Sequence, residues 1–121
     1  MSEFTDRRNG MSGQSITVEV MSEGQLLGEG TRDPSESRGG GYLNVVLDRA
    51  LKDPTFTHIR LIDEYGTTVF SRMQLMEVIP ELERLRDFTN SDDEEAMLEG
   101  VLEFAQQATS GVHRFLVFLG D

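Results

Sequence analysis

The sequence predicts an α+β domain, a mostly antiparallel sheet of about five strands with helices on one face, in the order β-β-α-β-β-α-α-β. Three observations point there. Ile16, Val18 and Val20 alternate with Thr17 and Glu19, the period of a half-buried strand. Three later segments repeat their apolar residues at helical spacing, and Phe115-Leu116-Val117-Phe118-Leu119 is apolar throughout, as a central strand covered on both sides would be. Strands joined by turn chemistry, with helices segregated from them, favour a mixed domain over a doubly wound sheet.

Taken in order, residues 1–14 are polar and aperiodic and read as a disordered N-terminal arm, with Met11 an alternative natural start. Residues 15–121 form the single domain. Glu23-Gly24 supplies a turn, so residues 15–21 and 25–30 are predicted to make a hairpin. Residues 31–41, with Pro34 and Gly39-Gly40-Gly41, are expected to be a mobile loop. Leu43, Val46, Leu47, Ala50 and Leu51 share one helical face, and that helix stops before Pro54.

Residues 58–62 and 67–73 are rich in β-branched and aromatic side chains, and Asp63-Glu64-Tyr65-Gly66 between them suits a second hairpin. Leu75, Val78, Ile79, Leu82 and Leu85 predict the next helix. Because proline lacks a donor and clashes one turn back, Pro80 is placed in its first turn, with the start at residues 75–77 and the end near Asp87. Ser91-Asp92-Asp93-Glu94 matches a capping box, opening a helix with Leu98, Val101, Leu102 and Ala105 inward that ends near Gly111.

Composition restricts function. Twenty-two acidic against eleven basic residues give a formal charge of −11, which repels nucleic acid and anionic membrane and draws cationic partners. Residues 81–121 hold ten acids against three bases, so the charge is concentrated in the last third. Without cysteine there is no disulfide and no thiolate chemistry, which fits a cytoplasmic protein. No apolar run is long enough to span a bilayer, and the polar start lacks a secretory signal.

Two groups of residues are candidate sites. Asp92, Asp93, Glu94, Glu95 and Glu99, continued by Glu103, would form a docking surface for a basic protein; a solvated, capped helix face is the more ordinary explanation, since most charge runs face solvent. Asp63 and Tyr65 in the acidic turn, with Arg72 and Gln74 downstream where a strand runs into a helix, are expected to form a polar cluster at one end of the sheet, a place where sites often form, although turn chemistry already accounts for Asp63 and Gly66. His58 and His113 stand singly beside strands, and Met73, Met76 and Met97 read as core gap-fillers. No catalytic triad, metal-ligand spacing or phosphate loop occurs, so no catalytic residue, metal or cofactor is assigned.

Asp63, Tyr65-Gly66, Thr68-Val69-Phe70, Arg72 and Gln74, followed by a Leu/Glu-rich helix, resemble the D-x-Y-G-x-T-V-F-x-R-x-Q signature of a group of small bacterial proteins. The terminal Phe118-Leu119-Gly120-Asp121 is similar to that group's ending, and Ser71 stands where the group carries Asn. The resemblance implies a shared fold and no activity. Three functions remain open from sequence: an acidic protein-binding module, immunity- or antitoxin-like; a small-ligand or enzymatic domain around Tyr65, Arg72, Gln74 and Asp121; and a homo-oligomeric structural subunit.

Overall fold

A computed structural model describes residues 15–28 and 37–120. The predicted N-terminal arm, most of the predicted loop at 31–41 and Asp121 lie outside the described residues. The domain is α+β. In chain order come β1 (Ile16–Ser22), α1 (Glu23–Leu26), β2 (Arg38–Gly40), α2 (Gly41–Ala50), β3 (Thr67–Ser71), α3 (Arg72–Arg84), α4 (Asp92–Thr109) and β4 (Arg114–Leu119), with 3-10 turns at Ile59–Leu61 and Leu85–Phe88. The described sheet has four strands, every pair antiparallel, in the order β2-β1-β4-β3.

The core lies between one sheet face and the helices. Ile16, Val18, Phe70, Leu116 and Phe118 project to that face and join one buried cluster with Leu43, Val46, Leu75, Val78, Leu98 and Val101. Phe70 and Phe118 meet edge to face, ring centroids 5.7 Å apart, the arrangement that aromatic quadrupoles favour. Val117, on the other face of β4, is also fully buried, as the unbroken apolar run of that strand requires.

Four local expectations are corrected, each for a physical reason. The predicted strand at 25–30 begins instead as α1: Ser22 Oγ accepts from the Gln25 N–H and Gln25 Oε1 accepts from the Ser22 N–H, a complete capping box that turns the chain. The glycine tract predicted to be a loop builds β2 and starts α2. Gly39 and Gly40 have φ of 92° and 97°, and a Cβ on Gly39 would sit 2.6 Å from the Ile16 carbonyl oxygen, so only glycine lets β2 approach β1 in this way.

The predicted strand at 58–62 is a 3-10 turn, and the second hairpin is absent. The Glu81 carboxylate takes the N–H groups of Thr57, His58 and Ile59, donors that a sheet would otherwise pair. The Arg60 guanidinium holds the carbonyls of Leu51, Asp53 and Phe56 nearby. Finally, α3 begins at Arg72, so Pro80 lies inside it rather than in its first turn. A second complete capping box, Ser71 with Gln74, fixes that early start. Proline leaves the Met76 carbonyl without its helical donor; Met76 is exposed, so water can serve the orphan acceptor. Met73 and Met76 are both exposed, against the expectation that they fill the core, while Met97 does pack there.

Candidate functional site

The acidic start of α4 divides into one buried anchor, Glu94, and an exposed set, Asp92, Asp93, Glu95 and Glu99. Ser91 Oγ accepts from the Glu94 N–H at 3.1 Å, as the sequence predicts, but Glu94 does not complete the box. Its carboxylate turns inward, accepting from Arg49 Nη1 at 2.6 Å, Arg49 Nη2 at 3.1 Å and the Asn90 N–H at 2.8 Å. Arg49 Nη1 also donates to the Phe88 carbonyl, so one guanidinium ties α2 to the turn before α4. The bond from Arg49, then that from Asn90, holds the Glu94 carboxyl below the usual range. Glu94 is 7 % exposed and unavailable to a partner, a correction to its place in the predicted docking surface.

Asp93 is exposed and accepts from the Tyr42 hydroxyl at 3.2 Å, and its charge raises the Tyr42 pKa. Asp92, Glu95 and Glu99 converge on an open groove of about 440 Å³, bounded also by Arg86, Thr89 and Leu98. Arg86 reaches Glu99 Oε2 from Nη2 at 2.8 Å and from Nε at 3.0 Å. The groove therefore has acidic walls and one internal guanidinium. Glu103 lies outside it, 3.9 Å from Arg38, whose guanidinium carbon stacks 4.3 Å from the centre of the Phe104 ring.

The second candidate group is organised by backbone geometry. Asp63 Oδ1 accepts from the Tyr65 N–H at 2.8 Å, and Thr68 Oγ1 accepts from the Asp63 N–H at 3.0 Å, so the turn engages the Asp63 side chain. Gln74 caps α3. Tyr65 is 68 % exposed and Arg72 is exposed. The structure does not bring the four together, a correction to the predicted polar cluster at one end of the sheet: Asp63 and Tyr65 precede β3, at the end where the Gly120 N–H donates to the Gly66 carbonyl at 2.7 Å, whereas Arg72 and Gln74 follow its far end, with the whole of Thr67–Ser71 between them.

Sequence reasoning missed Glu81, the most heavily bonded carboxylate described. Burial pushes its pKa up, but the Ile59 N–H, the Thr57 hydroxyl and the Thr57 and His58 N–H groups outweigh that and hold it below the usual range. His58 Nδ1 lies 3.3 Å from Glu81 Oε2, and His113, at φ 64°, lies 3.3 Å from Glu23. Among the described residues no group of His, Asp and Glu could hold a metal ion, and no helix is long and apolar enough to cross a membrane. No protein-family model, curated protein or solved structure matches the chain.

Proposed function

We propose that this protein is a non-enzymatic, acidic docking module that binds a basic protein, immunity- or antitoxin-like, in the cytoplasm of a bacterium. The observation that carries the reading is the groove in which Asp92, Glu95 and Glu99 converge around Arg86. Arg86 pairs with Glu99 alone, so Asp92 and Glu95, which have no ion pair among the described residues, are the carboxylates that an arginine or lysine from a partner would meet. The formal charge of −11 would speed the encounter and make it salt-sensitive. Kinship with the group that carries the D-x-Y-G-x-T-V-F-x-R-x-Q signature belongs to the same proposal and adds no activity to it. The ligand-site alternative draws less support, since Asp63 and Gln74 already serve the turn and the helix cap.

The test is affinity capture from host lysate at low and high salt, comparing the wild type with a triple variant, Asp92→Asn, Glu95→Gln and Glu99→Gln. A basic protein retained by the wild type, released by salt and lost from the variant supports docking in the groove. Capture that ignores both salt and the variant removes the proposal.

A further inference from the structure

Among the described residues, the Asn44 amide nitrogen is the one buried side-chain polar atom without a hydrogen bond. Asn44 Oδ1 accepts from the Ile16 N–H at 2.9 Å, and since a backbone N–H can bond only to the oxygen end, this contact fixes which way the amide is turned. Nδ2 therefore faces away from that N–H, with two protons to donate, and is shielded from bulk solvent. A buried donor that has given up its hydration is costly unless something accepts from it, which in folded proteins is nearly always a protein atom or an ordered water.

Asn44 lines a small cavity of about 50 Å³ between the start of β1, α2 and the segment that leads into β3. Ile16, Leu47, Leu51 and Ile62 give it apolar walls, and Asp48 and Glu64 are its other polar residues. This chemistry is selective. A cation would meet the Asn44 amide protons, because the amide oxygen is already engaged, and an anion would meet two carboxylates. Organic ligands of ordinary size need several times the volume. What fits is a small neutral molecule that both accepts and donates. A water needs about 10–15 Å³ of such volume and two to four polar partners, so the cavity has room for roughly three.

We propose that this cavity is a structural water site, in which an ordered water accepts from Asn44 Nδ2 and donates to the carboxylates of Asp48 and Glu64. Asp48 follows Asn44 by one helical turn, which puts the two on one face of α2. Neither carboxylate accepts a hydrogen bond among the described residues, so both have lone pairs to offer. The water ties α2 to the segment before β3. By holding the Asn44 amide from its second side, it also keeps Oδ1 on the Ile16 N–H, and so fixes the start of β1 on α2. The site is separate from the acidic groove on α4.

A high-resolution crystal structure of the full chain should show a water within about 2.7–3.2 Å of Asn44 Nδ2 and of at least one of the two carboxylates. In solution, the Asn44 side-chain amide protons should give NOE and ROE contacts to water of opposite sign, the signature of a long-lived water. Asp48→Ala together with Glu64→Ala should abolish that signal and speed exchange of the Ile16 amide at least roughly tenfold, although neither side chain bonds to that amide. Circular dichroism checks folding, and Glu64→Ala alone serves if the double variant unfolds. A dry cavity, a metal ion or anion in it, or a protein atom accepting from Nδ2 overturns the proposal. So does Ile16 exchange that ignores the loss of the carboxylates.

Discussion

Replacing Glu81 by alanine removes the acceptor for three consecutive backbone N–H groups and one hydroxyl. The three amides do not suffer equally. Ile59 is fully buried, so its N–H loses its only acceptor in a dry site; His58 is half-buried, and Thr57 is exposed and can turn to water. A buried donor left unmade costs about 1–3 kcal/mol, and adding a partial cost for His58 gives a total of about 2–4 kcal/mol. For a domain of this size that is a fall in Tm of roughly 10 °C, measurable by circular dichroism during thermal or urea unfolding.

The same variant tests the titration. The folded Glu81 carboxyl titrates below the ordinary range, so its stabilisation is complete above the unfolded pKa and is lost as pH falls through the lower folded value. The stability gap between wild type and Glu81→Ala should therefore narrow as pH falls below about 5 and go on narrowing until the folded carboxyl is itself protonated. A Glu81→Ala protein within about 0.5 kcal/mol of wild type at neutral pH would refute the account of the 57–61 turn.

Three further outcomes follow from the packing. Glu94→Gln should lower Tm in urea-free buffer and weaken the junction between α2 and α4, detectable as faster amide exchange at Asn90, because it breaks the two-pronged bond to Arg49. Gly39→Ala should cost about 2–4 kcal/mol or abolish folding, since it opposes the positive φ and pushes a methyl group into the backbone of Ile16; a soluble variant with unchanged unfolding would contradict the geometry of β2. Pro80→Ala should stabilise by about 1–2 kcal/mol in urea titrations, because it returns a donor to the Met76 carbonyl in mid-helix, less the gain in unfolded-chain freedom.

Much of the helical architecture was legible in the chain. The 3.6-residue spacing of Leu43–Ala50, Leu75–Leu82 and Leu98–Ala105 reappears as the buried faces of α2, α3 and α4. The alternation of Ile16 to Val20 and the apolar run at Phe115–Leu119 mark β1 and β4, which pair with each other at the centre of the sheet. Local rules also held more information than was taken from them. The Ser-x-x-Gln pattern at Ser22 and Ser71 would have ended one strand and begun one helix where the structure does, had the capping rule outweighed β-propensity and the proline argument.

Other features had no local signal, because their causes are partners distant in sequence. Nothing near residues 58–62 announces that Glu81, more than twenty positions away, will collect their amides and turn a predicted strand into a 3-10 turn. Nothing in the Ser91–Glu94 pattern says that Arg49 will draw Glu94 inward and leave Asp92, Glu95 and Glu99 to line the groove. Sequence by itself determined the fold class, the helical faces and the acidic charge, since each depends on residue type and spacing. Tertiary structure alone decided which carboxylates are buried anchors and which are exposed, and which strand ends the sheet, since burial and pairing depend on what long-range packing brings alongside.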